Sequence, residues 1–163
     1  MPRAYIGLGA NLEDPAAQVA EALTRIEKLP GVRVVATSSL YRSAPLGPPG
    51  QPDYCNAVCA VDSGLDPDDL LTALHAVERA MGRERPPVRW APRVIDLDLL
   101  HVDGVQMKTE RLTLPHAEMA LRNFVMVPLA EIAPDLVHPR LGVTVAELLS
   151  RLGDTRGLIW LFQ

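Results

Sequence analysis

Two aspartates lie in the stretch RWAPRVIDLDLL, which runs from Arg89 to Leu100 and whose last seven residues are otherwise aliphatic. Residues two apart in a strand point to the same side, so Asp96 and Asp98 share one face while Ile95 and Leu97 lie on the other. Two neighbouring carboxylates repel each other, and partial burial adds a desolvation cost. A bound Mg²⁺ would offset both, because this ion prefers oxygen ligands and commonly takes one or two carboxylates together with waters and phosphates. The alternative is an exposed sheet face on which both acids meet water.

The loop before this strand is rich in arginine. Four of the 16 basic residues of the chain fall within eleven positions: Arg83, Arg85, Arg89 and Arg93. Guanidinium groups match phosphate oxygens, so the cluster predicts an anion clamp, and with the aspartates it indicates a metal ion and a polyphosphate. The alternative is a solvated loop that pairs with acidic residues elsewhere. The sequence lacks a P-loop, G-x-x-x-x-G-K-[ST], and GLGANL is only part of a glycine motif, so a different phosphate chemistry is expected.

Tyr54 and Asn56 form a second constellation, in the stretch DYCNAV. If this stretch is a strand, both side chains lie on one face, and an aromatic plane then stands beside an amide. An amide donates and accepts hydrogen bonds at once, which suits a planar heterocycle with amide-like edges. The alternative is an ordinary cross-strand pair at a sheet edge.

Length and composition indicate a single domain covering residues 1–163 of a cytoplasmic protein. The 163 residues suffice for a substantial core, and the 48% hydrophobic and 22% charged fractions are those of an ordinary globular protein. A net charge of −4 argues against a nucleic-acid partner, and neither a long apolar run nor a signal-peptide layout is present. Cys55 and Cys59 would lie about 13 Å apart along a strand, too far for a disulfide, so two buried, reduced thiols are expected.

The order of elements predicts the fold class. AYIGLGANL is typical of a first strand, and Asp14 and Pro15 mark the start of the helix that follows. VRVVATSSLYRS predicts one long second strand, YCNAVCAVDS a third, DPDDLLTALHAVERAMG a second helix ending near Gly82, and VIDLDLLHV a fourth strand. Strand–helix–strand thus occurs twice, which favours an α+β, ferredoxin-like sandwich with a mainly antiparallel sheet and helices packed on one face. After Val102 the strand, helix and turn signals are mixed.

Several stretches, in this order, resemble the 6-hydroxymethyl-7,8-dihydropterin pyrophosphokinase family of folate biosynthesis. RWAPRVIDLDLL is similar to the family signature, in which Pro-Arg precedes Asp-x-Asp and aliphatic residues. YIGLGANL, LYRSAPLGPPGQPDYCNAV, ERAMGRER, TERLTLPH and RNFVMVPLAEIAPDLVHP resemble further family blocks. Together they cover most of the chain from Ala4 to Pro139. An isolated Asp-x-Asp is a weak signal, whereas this ordered set is specific.

The resemblance implies that the β,γ-pyrophosphoryl unit of ATP is transferred to the hydroxymethyl oxygen of the pterin, with release of AMP. It implies that Asp96 and Asp98 bind two Mg²⁺ ions, that Tyr54 and Phe124 sandwich the pterin ring, and that Asn56 reads the polar edge of the ring. Other residues implied on the pterin side are Ser43, Ala44, Leu46, Trp90 and Asp96. The residues implied to contact ATP are Leu71, His75, Glu78, Arg83, Arg85, Trp90, Arg93, Leu99, Arg111, Thr113, His116 and Arg122.

Three residues are implied to be catalytic. Arg83 and Arg93 would stabilise the charge that shifts during phosphoryl transfer, as arginines do in such reactions. Asp98 is a candidate acceptor of the hydroxyl proton. The residues alone leave a second role open for His116, which can be a structural histidine that caps a strand end.

Five positions depart from the family pattern. Serine, threonine and glycine are common at three of them, and some members carry amide or bulkier residues at the other two; the residues found here are Ala10, Ser43, Ala91, His75 and Ala117. Such changes would tune ATP affinity. None of them removes a metal ligand, a clamp arginine or a stacking ring.

Two other functions are compatible with the residues alone. One is a different Mg²⁺-dependent nucleotidyl or phosphoryl transferase with a ferredoxin-like fold, which would release pyrophosphate instead of AMP. The other is a ligand-sensing module of the same fold, in which the aspartates and arginines would be idle. The expected partners are the small molecules ATP and 6-hydroxymethyl-7,8-dihydropterin, with neither nucleic acid nor membrane, and a monomer is expected.

Overall fold

A computed structural model describes residues 1–12, 14–44, 50–82 and 94–162 of the chain, which form both strands and helices. The strands are β1 (Arg3–Ala10), β2 (Val32–Thr37), β3 (Tyr41–Ser43), β4 (Tyr54–Ser63), β5 (Asp96–Val102), β6 (Met107–Lys108), β7 (Thr113–Leu114) and β8 (Ile159–Leu161). The helices are α1 (Pro15–Glu27), α2 (Pro67–Ala80), α3 (Asn123–Ile132) and α4 (Val145–Arg151), and a 3₁₀ turn covers Met119–Leu121. None of these helices has the length and apolar character that crossing a bilayer requires.

One antiparallel sheet organises the part of the chain that the structure describes. Its strands follow the order β5–β1–β4–β3–β8, and β2 pairs with the far end of β4. Every pairing within it is antiparallel. The units β1–α1–β2 and β4–α2–β5 give the strand–helix–strand repeat of a ferredoxin-like sandwich. The predicted α+β fold class is therefore confirmed.

The two long helices begin where the sequence predicts. The Asp14 carboxylate accepts a hydrogen bond from the Ala17 N–H at 3.2 Å, and the Asp66 carboxylate accepts one from the Asp69 N–H at 2.9 Å. Each of these capping aspartates is followed by a proline at the first helical position, and proline has no N–H group that would need a hydrogen-bond partner. Gly82 follows α2 with φ of 104°, a left-handed conformation that glycine adopts without strain.

The sequence predicts one long second strand, but the structure divides it into β2 and β3. The main chain leaves the ladder at Ser38, whose hydroxyl accepts the Val58 N–H at 2.9 Å and donates to the Ser39 carbonyl at 2.8 Å. This hydroxyl takes the place of a strand carbonyl, so β2 and β3 pair with opposite halves of β4. Strand propensity alone does not reveal such a side-chain substitution.

Helices cover both faces of the sheet, whereas the sequence predicts them on one. Helices α1 and α2 pack on the first face, where Val19 and Leu74 join Ile6 in the main core. Helices α3 and α4 pack on the second face, with Met126 and Leu148 in a separate core. The second layer escapes prediction because α3 is apolar on most sides and contains an internal proline, so it shows no clear helical period.

Candidate functional site

The second face of the sheet is only half covered. Alternation along β4 turns Cys55 and Cys59 into the main core and Val58 toward α3. The core under α3 and α4 uses Val58, Ala60 and Leu100, which lie toward one end of the sheet. At the other end, the residues that share this face border a cavity.

This first cavity has a volume of about 550 Å³, in the usual range for small-molecule sites. Its floor is the sheet, and its far wall is the start of α3. Its lining residues are Gly7, Leu8, Gly9, Ser43, Ala44, Tyr54, Asn56, Ala57, Asp96, Asp98, Leu121, Arg122, Asn123, Phe124, Val125 and Leu158. Tyr54 and Asn56, the pair predicted to suit a heterocycle, thus line one cavity together with both predicted metal ligands.

The Asn56 amide is held in a fixed orientation. It is 4% exposed, and its Nδ2 donates a hydrogen bond to Ser43 Oγ at 2.7 Å. Because Ser43 is the register partner of Tyr54, the amide, the hydroxyl and the phenol ring lie on adjacent positions of β3 and β4. Burial, and to a smaller extent the negative charge of Asp96, raises the pKa of the Tyr54 hydroxyl above its ordinary value. These groups can read the edge of a planar ring and stack on its face.

Asp96 and Asp98 lie on the β5 side of the cavity floor, as the alternation predicts. Opposite them on β1 stand Gly9 and Gly7. A Cβ on Gly9 would come within 3.4 Å of the Asn56 amide oxygen. Gly9 therefore keeps the floor between Asp96 and the Asn56 amide low, which lets a ligand approach the sheet backbone there. The partial glycine motif of GLGANL is thus part of this cavity.

A second cavity, of about 470 Å³, lies on the other side of β5, between this strand, α2 and β7. It mixes apolar groups with basic and hydroxyl groups. Its lining residues are Leu71, His75, Leu97, Asp98, Leu99, Arg111, Leu112, Thr113, His116, Ala117, Glu118 and Arg122. Seven residues that the sequence analysis assigned to ATP are among them: Leu71, His75, Leu99, Arg111, Thr113, His116 and Arg122.

Arg122 and Asp98 line both cavities. Arg122 Nη1 lies 4.0 Å from Asp98 Oδ2, and its Nη2 donates a hydrogen bond to Glu118. The guanidinium carbon also stands 5.6 Å from the centre of the Phe124 ring, within reach of a cation–π interaction. A cation and a carboxylate therefore meet where the two cavities join, which suits a reaction between two ligands.

Two more polar side chains of the second cavity have defined contacts. His116 Nδ1 accepts the Glu118 N–H at 3.2 Å, and its main-chain N–H donates to the Leu100 carbonyl at 2.8 Å. His116 therefore fixes the chain after β7 and also lines the cavity, and its contact with nucleotide stays a prediction. Arg111 donates to the Thr72 hydroxyl, and its Nη1 lies 3.9 Å from Asp68 Oδ1. These contacts hold its guanidinium at the cavity wall.

Some predicted site residues are not brought into the cavities. Glu78 is 3% exposed and lines neither of them, and its Oε2 accepts the Leu97 N–H at 3.0 Å. Since Leu97 stands between the two aspartates, Glu78 supports the carboxylate strand from beneath. The expectations for Leu46, Arg83, Arg85, Trp90 and Arg93 lie outside the described residues, as does the rest of the arginine-rich loop.

Sequence reasoning missed several residues of the first cavity. Leu121 and Leu158 are 78% and 52% exposed, and both line it although they lie far from Tyr54 along the chain. Asn123 stands at the start of α3, whose position above the sheet the sequence does not reveal. No local pattern marks these residues, because the cavity is closed by contacts between distant segments.

The donor set of the first cavity fits Mg²⁺. The two carboxylates offer hard oxygen atoms on one strand face, and both line the cavity. Within the described ranges, no group of three or more His, Cys, Asp or Glu side chains could hold a metal ion. A cation bound to this pair would complete its coordination with water and phosphate oxygens, which is the usual arrangement for Mg²⁺.

Comparison with known proteins gives a consistent family. Residues 5–134 match the family model described as 7,8-dihydro-6-hydroxymethylpterin-pyrophosphokinase. The chain is 49% identical over 158 residues to the 2-amino-4-hydroxy-6-hydroxymethyldihydropteridine pyrophosphokinase of Methylorubrum extorquens. This alignment covers 97% of this chain and 98% of that protein. It is 47% identical to the protein of the same name from Pseudomonas aeruginosa, over 91% of this chain and 90% of the relative.

A solved structure is similar in fold. The crystal structure of wild-type Plasmodium falciparum HPPK-DHPS with pteroate superposes with a TM-score of 0.72 at 15% sequence identity. The match covers 92% of this chain and 42% of that one, so this chain spans less than half of the longer protein. At this identity the likeness concerns the fold, and it agrees with the sandwich described above.

Proposed function

This chain belongs to the 7,8-dihydro-6-hydroxymethylpterin-pyrophosphokinase family, and we propose that it transfers pyrophosphate from ATP to the hydroxymethyl group of 6-hydroxymethyl-7,8-dihydropterin, in folate biosynthesis. The supporting observation is the meeting of two cavities at Asp98 and Arg122. The first has the size, amide and rings for a pterin, and the second has the mixed lining for a nucleotide. A transfer reaction requires this adjacency, because both reactants must be held with their reacting atoms close together.

The pterin would bind in the first cavity. Tyr54 and Phe124 would stack on the two faces of the bicyclic ring, while the Asn56 amide and the main chain near Ser43 and Ala44 would bond to its polar edge. The hydrogen bond between Asn56 and Ser43 holds the amide in place before the ligand arrives, which lowers the entropy lost on binding. The hydroxymethyl group would then point toward the aspartates.

The nucleotide would bind in the second cavity. Leu71 and Leu99 offer apolar contacts for a base, and Thr113, His116 and Arg111 offer polar contacts for the sugar and phosphates. The triphosphate would extend toward Arg122 and the carboxylates. The arginine-rich loop remains the predicted source of further charge, with Arg83 and Arg93 as catalytic residues and Arg85 and Trp90 as ligand contacts.

Asp96 and Asp98 would hold Mg²⁺, with two ions expected. When bound, the metal neutralises charge on the phosphate oxygens and polarises the phosphorus that is attacked. Asp98 would also accept the hydroxyl proton of the pterin. The hydroxymethyl oxygen then forms a bond to the β-phosphorus, and the bond from this phosphorus to the oxygen shared with the α-phosphate breaks. AMP leaves with that oxygen, and Arg122 can offset the charge that shifts between the two cavities.

One incubation tests this proposal against the two alternatives. The protein is mixed with ATP, Mg²⁺ and 6-hydroxymethyl-7,8-dihydropterin, and the nucleotide product is identified by chromatography. AMP that forms only when pterin and metal are both present supports the pyrophosphokinase. Pyrophosphate release would indicate a nucleotidyl transferase, and binding without turnover would indicate a sensing module.

We also propose a single catalytic domain across residues 1–163, acting as a cytoplasmic monomer. The two cysteines of the chain are free and buried, which suits a reducing compartment. Light scattering of the purified protein would test the monomer, and a stable dimer would contradict it.

A further inference from the structure

Leu158 lines the first cavity from a segment that lies beyond the part of the chain matched by the family model, which ends at residue 134. Its side chain is 52% exposed, whereas the neighbouring Ile159 is 4% exposed. The cavity that it borders holds carboxylates at the opposite side, on β5. Leu158 thus gives this cavity an apolar side, far from its charged one.

The segment that carries Leu158 is anchored by contacts that do not involve this side chain. Strand β8 pairs with β3, so that Ile159 lies beside Ser43, and the Phe162 N–H donates to the Leu40 carbonyl at 2.9 Å. The guanidinium of Arg42 stands 4.2 Å from the centre of the Phe162 ring. The C-terminal segment is therefore attached to the same strand that supplies Ser43 to the cavity.

The turn before β8 fixes where the Leu158 side chain stands. The N–H groups of Leu158 and Ile159 both donate to the Thr155 carbonyl, at 2.9 and 3.0 Å. Main-chain bonds hold the turn, so a shorter side chain at position 158 should leave its path unchanged. A half-exposed leucine on a rigid wall gains from any apolar surface that covers it. A planar ring seated between Tyr54 and Phe124 would lie in the cavity that this wall bounds.

We propose that Leu158 is a specificity-determining residue that forms the outer apolar wall of the pterin site. This inference rests on the proposed function, since it takes the ring in the first cavity to be a pterin. The leucine covers the part of the bicyclic ring on the β3 side of the cavity, away from the carboxylates on β5. It acts on pterin affinity and has no part in nucleotide binding, because the second cavity does not include it.

The test compares Leu158→Ala with a matched control, Leu161→Ala. Leu161 is 55% exposed, belongs to the same C-terminal segment and lines neither cavity. Calorimetric titration with the pterin, in the presence of Mg²⁺ and a non-hydrolysable ATP analogue, should show affinity about 3- to 10-fold weaker for Leu158→Ala and unchanged for the control. The affinity for the ATP analogue should be the same in both variants and the wild type. In turnover assays, the KM for the pterin should rise while kcat is retained.

A second variant, Leu158→Asn, keeps the branched shape but removes the apolar surface, and it should match Leu158→Ala. Equal pterin affinity of Leu158→Ala and the wild type would overturn the inference while leaving the proposed function intact. An equal loss in Leu161→Ala would also overturn it, because the effect would then arise from the segment as a whole. A wild-type protein that binds no pterin would instead refute the proposed function.

Discussion

Replacing Asp98 by asparagine should abolish most of the activity and leave the fold in place. The side chains of Asp98 and Arg122 are 46% and 31% exposed, and their closest atoms are 4.0 Å apart. An ion pair of this exposure contributes at most about 1 kcal/mol to stability. For a chain of this length, that corresponds to a change in Tm of about 2–4 °C. Relief of the repulsion between Asp98 and Asp96 acts in the opposite direction, so the net change in Tm should be smaller still.

The loss of activity should be far larger than the loss of stability. Asp98 offers a charged oxygen at the junction of the two cavities, and removing one such preorganised electrostatic contact typically lowers the rate about 10²- to 10³-fold. The neutral amide of asparagine keeps the shape of the side chain, so that charge is the main variable. Turnover with saturating ATP and pterin, measured over a range of Mg²⁺ concentrations, gives the rate and the apparent metal affinity together.

Asp62→Asn is the matched control. Asp62 lies near the far end of β4, and its Oδ1 accepts a hydrogen bond from Arg3 Nε at 3.1 Å, so this variant also removes a carboxylate from an ion pair on the sheet. It should keep wild-type turnover and metal affinity. Near-full activity of Asp98→Asn would refute the assignment of this pair to the metal. A drop in its Tm of more than about 10 °C would show that the carboxylate supports the fold, which also contradicts the reasoning.

Three further predictions concern ligand binding and the thiols. Tyr54→Ala and Phe124→Ala should each weaken pterin binding about 5- to 150-fold, since stacking is worth roughly 1–3 kcal/mol per ring, and should spare the ATP analogue; equal losses for both ligands in calorimetry would argue for a packing role. Arg122→Ala should weaken both ligands, because this side chain lines both cavities, and a loss confined to one of them would be inconsistent with its position. Burial raises the pKa of Cys55 to about 11 and of Cys59 to about 12, from 9.0. The native protein should therefore resist alkylation by iodoacetamide at neutral pH. Its free energy of unfolding should fall as pH rises above about 9, because the thiols ionise in the unfolded chain before they ionise in the folded one. Rapid alkylation without unfolding would contradict the burial of these thiols.

The features that the sequence predicts well depend on residues that are close together in the chain. The shared face of Asp96 and Asp98 follows from the two-residue period of a strand, and it holds for Tyr54 and Asn56 as well. The starts of α1 and α2 follow from Asp-Pro pairs at Asp14 and Asp66. Each of these rests on local geometry, which is set by neighbours in the chain.

The features that escape prediction depend on contacts between distant segments. The position of α3 above one half of the sheet creates the first cavity, and nothing in its apolar sequence indicates which half it covers. Leu158 reaches the site only because the pairing of β8 with β3 brings it there. Glu78 is a buried carboxylate that accepts a hydrogen bond from the Leu97 N–H. From the sequence alone, this structural role could not be distinguished from a role in ligand binding.

The most direct test of the central claim follows the β-phosphorus of ATP into the product. ATP labelled at this position is turned over with Mg²⁺ and 6-hydroxymethyl-7,8-dihydropterin, and the pterin and nucleotide products are separated. The account predicts that all transferred label is found in a pterin bearing two phosphoryl groups, and that the AMP is unlabelled. Label retained in ADP would indicate transfer of a single phosphoryl group, and label in free pyrophosphate would indicate transfer of the nucleotidyl group. Either result would contradict the account.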